Sequence, residues 1–240
     1  MKNQYFGDIQ DYRKYGLLRQ LTGTGQTSLG VIWMLTPDDQ SRDGSKVEYL
    51  SQANLYRHFD PDLFDALYGC VHEDGRRSVE QVEIRNLIPN TIFVSNIIPD
   101  GIEDRNTIML NAQRAVFTTD LVFFDPDNGF ETDSCRKGRK NSNKYVYWDE
   151  IYQMYNNGHS ILTYQHFPRV VREEYIQTRL KALKLRLSGS TVMAFCTSHV
   201  GFFLAVQSKH LEELESRLPS LLNSWGDVFT CRYLTEGETD

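Results

Sequence analysis

Leu121-Val122-Phe123-Phe124-Asp125-Pro126-Asp127-Asn128-Gly129 is the clearest combination of a strand and a turn in this sequence. Four consecutive apolar residues suit a strand that is buried on both faces, as the strands of a parallel sheet are. Pro126 fixes one backbone angle of the turn, and Gly129 allows a positive φ. The stretch therefore predicts a central parallel strand that ends in a shaped acidic loop at the edge of a sheet.

Further strand and helix patterns alternate on both sides of this strand. Apolar runs predict strands at 29–35, 91–95, 160–164, 192–196 and 202–206. Helical periodicity predicts helices at 8–21, 61–70, 78–86, 103–116, 147–156, 170–187 and 209–222. Such alternation requires crossover connections, so we expect one α/β domain over residues 1–240, with helices on both faces of a mostly parallel sheet. The last two strands could pair as a late antiparallel hairpin.

Composition and missing motifs argue against several classes of protein. The 240 residues are 40% hydrophobic and 24% charged, as in ordinary globular domains. The apolar runs fall short of the ~18 residues that a membrane span needs, and the polar start Met1-Lys2-Asn3-Gln4-Tyr5 lacks a signal-peptide core, so we expect a cytoplasmic protein without a membrane partner. The four cysteines are scattered, which argues against structural zinc and disulfides. GxGxxG, Walker A, GxSxG and HExxH motifs are absent, so hydride transfer, ATP hydrolysis, serine hydrolysis and zinc proteolysis are poorly supported.

Three loops are candidates for a ligand site, because open parallel sheets bind ligands beyond the carboxyl ends of their strands. They are 36–44, 125–131 and 165–169. The second loop carries the carboxylates of Asp125, Asp127 and Glu131, which are more than a turn needs. These groups could orient a substrate amine or hydroxyl by accepting hydrogen bonds, or they could hold a divalent cation such as Mg²⁺. A simple strand-ending turn is the third interpretation.

The helix near the start of the chain carries the pattern Gly7-Asp8-x-x-Asp11-x-x-Lys14-Tyr15. Spacings of three and four residues place these charged and aromatic side chains at neighbouring helical positions. Residue types alone favour an ordinary solvated helix face with a local ion pair. Asp8 can cap the helix, whereas Gly16 weakens the helix prediction.

A basic segment follows the acidic loop and contains Arg136, Lys137, Arg139, Lys140 and Lys144. Such a patch can act locally even though the net charge is −6. Its cations could hold the phosphates of a nucleic acid while the carboxylates face the reacting group, or the segment could be a mobile charged surface loop. At the end of the next strand, His166 could titrate near neutrality and Arg169 could bind a phosphate. The candidate substrate-binding residues are therefore Arg136, Lys137, Arg139, Lys140, His166 and Arg169.

Two motifs resemble those of the 23S rRNA adenine-N6 methyltransferases of the RlmJ type. The helix pattern from Gly7 to Tyr15 is similar to that family's Gly-Asn-x-x-Asp-x-x-Lys-His segment. Residues 122–129 look like its strand and Asp-Pro-Pro-Tyr catalytic loop. The later order is also similar, with a helix, a strand ending in Tyr164-Gln165-His166-Phe167-Pro168, a long helix and a late hairpin. The resemblance implies a three-layer Rossmann-like methyltransferase fold that binds S-adenosylmethionine.

The resemblance also implies roles for individual residues. Asp125 would accept a hydrogen bond from the target amine, and Asp127 and Asn128 would complete the catalytic loop. The cofactor would lie beside the motif residues Gly7, Asp11, Lys14 and Tyr15. Asp38 or Asp43 would lie near its ribose. After its first strand the family has a glycine-rich turn, where this chain has Thr36-Pro37-Asp38-Asp39.

Three functional hypotheses follow from the sequence. The first is a methyltransferase that uses S-adenosylmethionine and acts on nucleic acid. The second is a metal-dependent nuclease or phosphodiesterase, in which Asp125, Asp127 and Glu131 hold Mg²⁺. The third is an inactive binding module that keeps the methyltransferase fold.

Overall fold

The computed structural model describes residues 1–39, 41 and 43–235. Gln40 and Arg42 of the loop expected at 36–44 lie outside the described residues, as do residues 236–240. The α-helices of the described part are α1 (Ile9–Leu21), α2 (Ala53–Tyr56), α3 (Pro61–Tyr68), α4 (Glu80–Ile84), α5 (Ile102–Ala115), α6 (Trp148–Asn156), α7 (Arg172–Arg186) and α8 (Leu211–Trp225). Its strands are β1 (Leu29–Ile32), β2 (Thr91–Val94), β3 (Leu121–Phe124), β4 (Gly129–Phe130), β5 (Tyr145–Val146), β6 (Ser160–His166), β7 (Thr191–Cys196), β8 (Val200–Val206) and β9 (Thr230–Tyr233). None of these helices is long and apolar enough to cross a membrane.

Seven of the described strands form one sheet, in the order β2-β1-β3-β6-β8-β7-β9. β1 pairs in parallel with β2 and β3, and β3 pairs in parallel with β6. β8 lies antiparallel between β6 and β7, and β9 is antiparallel to β7, so most of these strands point in the same direction. The predicted α/β fold, with a mostly parallel Rossmann-like sheet and a late antiparallel hairpin, is confirmed.

Two apolar cores, one on each face of the sheet, give the fold three layers. One core joins α1, α3 and α8 to strand side chains such as Val31 and Phe123. The other joins α5, α6 and α7 to the alternate side chains, such as Ile32 and Phe124. Because successive residues of a strand point to opposite faces, the apolar run of β3 serves both cores. This burial fixes β3 as a rigid support for the loop that follows it.

Helix α1 begins at the predicted cap, where a carboxylate oxygen of Asp8 accepts a hydrogen bond from the Gln10 amide at 2.8 Å. Gly16, which weakened the helix prediction, lies where α1 meets α8. A Cβ at this position would lie 2.2 Å from the ring of Trp225. Glycine therefore permits the close packing that holds α1 against the rest of the domain.

Some element boundaries differ from the predictions. β1 ends at Ile32 instead of residue 35, because Met34 adopts a left-handed conformation with φ of 48°. α4 covers only Glu80–Ile84 of the segment predicted at 78–86. The sequence predicts neither the exposed strand β9 nor the two-residue strands β4 and β5, since such short runs show no clear periodicity.

Candidate functional site

A cavity of about 490 Å³ opens at the edge of the sheet where β3 and β6 end. Residues 125–128 line it directly after β3, and Tyr164 and His166 line it from the end of β6. The remaining wall comes from the first residues of the chain, from α1, and from the segment that follows β1. The volume lies within the range of roughly 300–1,000 Å³ that is typical of small-molecule sites. We call this cavity the cleft.

Three buried charges form the floor of the cleft. The Lys14 Nζ donates to Oδ1 of Asp11 at 2.9 Å and to Oδ2 of Asp125 at 2.7 Å. Each of these residues is at most 3% exposed. Oδ2 of Asp11 also accepts a hydrogen bond from the Tyr15 hydroxyl at 2.9 Å. The helix motif and the acidic loop, which are far apart in the sequence, are therefore joined by one ammonium group.

The solvated helix face favoured by residue types is wrong. Asp11, Lys14 and Tyr15 are buried because this face of α1 covers the carboxyl ends of the strands. Aromatic rings enclose the ammonium group: the centroids of Tyr15, Trp33 and Tyr164 lie 5.6–5.9 Å from the Lys14 Nζ. Cations are attracted to the faces of such rings, particularly where water is displaced.

Burial and charge pairing shift the pKa values of these groups in opposite directions. Burial raises the pKa of Asp11 and of Asp125 above the ordinary value of 3.8, although the charge of Lys14 opposes that rise. Burial alone would lower the pKa of Lys14, but the two carboxylates outweigh it and raise that pKa. Lys14 is therefore a fixed cation that holds Asp125 in place. Oδ1 of Asp125 receives no hydrogen bond from the described part of the chain and is left to the cleft.

Asp127 ties the acidic loop to two other segments of the cleft wall. Its Oδ1 lies 2.7 Å from the amino nitrogen of Met1, and its Oδ2 accepts a hydrogen bond from the Thr36 hydroxyl at 2.7 Å. Burial would raise the pKa of Asp127, but the Met1 charge and these hydrogen bonds lower it below the ordinary value. Asp127 is therefore ionised at neutral pH and is already occupied by protein groups.

The turn after Asp127 is shaped by Gly129 and Gln165. Gly129 has φ of +119°, so the positive φ predicted for it is confirmed. A Cβ there would lie 2.3 Å from Oε1 of Gln165. This Gln165 oxygen accepts from the Phe130 amide at 3.0 Å, and its Nε2 donates to the Asn128 carbonyl at 2.8 Å. β6 thereby holds the loop that carries Asp125 and Asn128.

The residues expected near a cofactor are only partly on the cleft wall. Asp11, Lys14 and Asp43 line it, whereas Gly7 and Tyr15 lie behind it. The Gly7 carbonyl accepts from the Tyr49 hydroxyl, and Tyr15 is fully enclosed with its hydroxyl on Asp11. Asp38 is also off the wall, because its Oδ1 accepts from the Gln4 amide at 3.1 Å. Gly7, Tyr15 and Asp38 therefore support the wall without lining the cleft.

Sequence reasoning missed several residues that line the cleft. They are Met1, Lys2, Tyr5, Gln10, Asp39, Lys46 and Tyr164. Lys2 and Asp39 form an ion pair that brings the start of the chain against the segment after β1. The hydrogen bond that Asp39 accepts from Lys2 is the main cause that lowers the pKa of Asp39 below its ordinary value. Nothing local marks such residues in the sequence, although the position of Tyr164 near the end of a parallel strand next to β3 could have identified it.

The basic segment is a loop beside the cleft, and hydrogen bonds and ion pairs join it to the rest of the domain. The Tyr147 hydroxyl donates to the Cys135 carbonyl at 2.9 Å, and the Asn141 amide donates to Asp100 at 3.0 Å. The Lys137 Nζ pairs with Asp149 at 2.6 Å and with Glu150 at 3.1 Å. Of the candidate substrate-binding residues, only His166 lines the cleft. The other five lie outside the cleft. Lys137 is partly buried, and the exposed ones are Arg136, Arg139, Lys140 and Arg169.

The arrangement needed for a metal centre at Asp125, Asp127 and Glu131 is not found. Asp125 and Asp127 are engaged by cations of the protein, and Glu131 is not on the cleft wall. Burial raises the pKa of Glu131, and the neighbouring carboxylate of Asp149 adds to that effect. Among the described residues, no group of three or more His, Cys, Asp and Glu side chains is placed to hold a metal ion.

Fold and site together define a Rossmann-like α/β protein with an open, charged cleft at the carboxyl edge of its parallel strands. No protein-family model matches the chain, and no curated protein sequence matches it. The case for function therefore depends on the geometry of the cleft.

Proposed function

We propose that the cleft binds S-adenosylmethionine and that the protein transfers the methyl group to a nitrogen atom of its substrate. The observation that carries this proposal is the position of Asp125 at the end of the central strand β3. Lys14 fixes one of its carboxylate oxygens at 2.7 Å, and the other oxygen is left to the cleft. A carboxylate held in this way is suited to accept a hydrogen bond from an N–H group.

The chemistry asked of the protein is mainly positioning. When bound, the sulfonium of the donor supplies a methyl group with a good leaving group, so little acid or base help is required. Oδ1 of Asp125 orients the nitrogen by accepting its N–H, and it takes the proton that this nitrogen gives up once it is methylated. Because burial raises its pKa, Asp125 accepts a proton more readily than an ordinary aspartate. Lys14 acts as a positioning residue.

The residues of the cleft fit the proposed donor. The donor carries an amino-acid group with both charges, a ribose with two hydroxyls, and an adenine ring. Asp43 offers a carboxylate to an ammonium or to hydroxyls, and Lys46 offers an ammonium to a carboxylate. Tyr5 provides an aromatic surface on the same wall. A cleft of about 490 Å³ has room for a ligand of this size.

The turn after β1 also supports a ligand site at this edge. The resembling family has glycines there, and this chain makes its turn with Met34 at φ of 48°. A left-handed residue other than glycine is strained by about 1–3 kcal/mol, and such strain is concentrated at ligand sites. Met34 is fully buried, so its surroundings hold it in this conformation.

Binding of the donor is the first test. We expect S-adenosylmethionine and S-adenosylhomocysteine to raise the midpoint of thermal unfolding. At a ligand concentration of 100 times Kd, the unfolding free energy should increase by about 2.7 kcal/mol. Calorimetric titration would give the stoichiometry, expected to be one per chain. Absence of binding by both ligands up to about 1 mM, the top of the usual KM range, would make the proposal wrong.

The role of Asp125 is tested by transfer of a labelled methyl group to total cellular RNA and DNA. Asp125→Asn should bind S-adenosylhomocysteine but lose at least about 100-fold in labelling rate. Asp65→Asn, which removes an exposed carboxylate from α3, is the control and should label as the unmodified protein does. Full activity of Asp125→Asn would remove Asp125 from the mechanism.

A further inference from the structure

One face of α7 presents three arginines that rest on aromatic rings. The guanidinium carbon of Arg172 lies 5.1 Å from the ring centre of Phe167, and that of Arg186 lies 4.7 Å from Trp148. Arg179 lies 5.0 Å from Tyr175 and 5.7 Å from Phe130. We call Arg172, Arg179 and Arg186 the arginine track. Stacking on a ring orders a guanidinium group and leaves its N–H edge free to bind an anion.

The arginine track carries charge that the protein does not neutralise. Among the described residues, no carboxylate oxygen lies within 4.0 Å of a nitrogen of these three arginines. After Glu174, α7 has no acidic residue, and Lys181 and Lys184 lie outside the face that carries the three arginines. In a chain with a net charge of −6, this face is therefore a local concentration of positive charge.

The track is continuous with the basic segment at 136–144, which we call the basic loop. Phe130 and Trp148 stack with their ring centres 4.9 Å apart, so Arg179 and Arg186 lie on neighbouring rings. The Lys137 Nζ lies 5.2 Å from the ring centre of Tyr147, which directly precedes Trp148 in the chain. Lys137 belongs to the basic loop, which leads to Lys144 on the cleft wall. At the other end, residues 166–171 connect the cleft to the first arginine of the track.

The spacing of the arginines suits a phosphate backbone. They are seven residues apart, which is about 10 Å along a helix at about 1.5 Å per residue. Successive phosphates of one strand of a duplex advance by about 3.4 Å along its axis, so the same distance spans about three nucleotides. An anionic membrane is a poorer fit, because Ile176, Leu180 and Leu183 of α7 are buried in the core and only one large aliphatic side chain of this helix, Leu185, is exposed.

We propose that the arginine track, together with the basic loop, binds the backbone of a nucleic acid and holds it beside the cleft. The inference rests on the proposed function for the chemistry, since it makes nucleic acid the substrate class of the transferase. Binding itself needs no methyl donor. The two proposals can therefore fail separately.

The test is fluorescence anisotropy of a labelled single-stranded oligonucleotide, measured without S-adenosylmethionine. Its length of about 20 nucleotides exceeds what the track can cover at about three nucleotides for each interval between arginines. The variant is Arg172→Gln/Arg179→Gln/Arg186→Gln. The control, Arg76→Gln/Arg114→Gln/Lys181→Gln, changes the net charge equally at exposed positions off the track. Thermal unfolding of both variants checks that each is folded.

We expect the track variant to bind at least about tenfold more weakly at low salt. The slope of log K against log salt should fall by about 2, since each lost phosphate contact contributes about 0.7 for single strands. The control should keep the affinity and slope of the unmodified protein. Equal weakening of both variants, unchanged binding by the track variant, or binding only to vesicles of anionic lipid would overturn the inference. Oligonucleotide binding without any S-adenosylmethionine binding would uphold it and reject the transferase.

Discussion

The Lys14 Nζ lies 2.7 Å from Oδ2 of Asp125, although 111 residues separate the two in the chain. Both side chains are almost fully buried, and the same ammonium also pairs with Asp11. The contact connects α1 to the end of β3 at the floor of the cleft. Since one cation serves two buried carboxylates, removing it leaves charge that nothing else in the contact neutralises.

Lys14→Met should therefore be strongly destabilising. Breaking a buried ion pair by removing one partner costs about 3–5 kcal/mol, and here two carboxylates lose their cation. Urea unfolding at neutral pH measures the loss. Lys181→Met, which removes an exposed lysine from α7, should change the unfolding free energy by less than about 0.5 kcal/mol. A Lys14→Met protein as stable as this control would contradict the buried network.

The contributions of Asp125 and Asp127 to the unfolding free energy should change in opposite directions with pH. The folded-state pKa of Asp125 is raised, so above pH 3.8 the folded protein binds more protons than the unfolded chain, and stability falls as pH rises through the raised pKa. The pKa of Asp127 is lowered, so its contribution is present above pH 3.8 and is lost as pH falls.

Unfolding free energies measured from neutral to acidic pH would reveal these signs. Relative to Asp125→Asn, the unmodified protein should become more stable as pH falls towards 4. Relative to Asp127→Asn, it should become less stable as pH falls below about 4. The same direction for both comparisons would show that one of the two environments is wrongly described.

The sequence predicted the fold better than it predicted the site. Apolar runs such as 121–124 and 202–206 are long enough to identify strands, and alternation with helices then leaves few topologies. The acidic loop was found because Asp125 follows such a run directly. By contrast, the burial of Lys14 depends on α1 covering the sheet edge, and no local pattern distinguishes it from a solvated ion pair. Lys2, Asp39 and Lys46 reach the cleft only through the path of the loops.

Gly129→Ala should destabilise the acidic loop more than an unfavourable φ alone would. Its Cβ would displace the Gln165 side chain, which holds Asn128 and Phe130, in addition to straining a backbone at φ of +119°. We expect a loss of about 2–4 kcal/mol in unfolding free energy. Gly189→Ala is a matched control, because Gly189 has φ of +80° and no atom within 4 Å of an added Cβ. Similar losses at both positions would show that the contact with Gln165 is unimportant.

Arg105→Met should destabilise the protein and weaken the attachment of the segment that brings Lys144 to the cleft. Arg105 is fully buried, pairs with Glu150 at 2.6 Å, and donates to the Ser142 carbonyl at 3.1 Å. We expect a loss of about 3–5 kcal/mol, because the buried Glu150 loses its closest cation and keeps only Lys137, while the Ser142 carbonyl loses its donor. The double variant Arg105→Met/Glu150→Leu should recover part of that loss in urea unfolding. A double variant that is less stable than Arg105→Met would show that the carboxylate is not the cause.

Gly16→Ala should destabilise the protein although alanine is the better helix former. In an unobstructed helix the change is worth up to about 1 kcal/mol in favour of alanine. Here the added Cβ would lie 2.2 Å from the ring of Trp225, which is fully buried and cannot move without disturbing the core. We therefore expect a loss of about 1–3 kcal/mol, the usual cost of overpacking.

The sign of the same change should reverse when Trp225 is replaced. In the background of Trp225→Leu, which is itself destabilising, the space left by the indole accommodates the new Cβ, so Gly16→Ala should become neutral or stabilising. Urea unfolding of the four proteins gives the coupling free energy between the two positions, expected at about 1–3 kcal/mol. Additive effects of the two substitutions would mean that α1 and α8 do not meet at Gly16. The close approach that keeps α1 over the cleft would then have another origin.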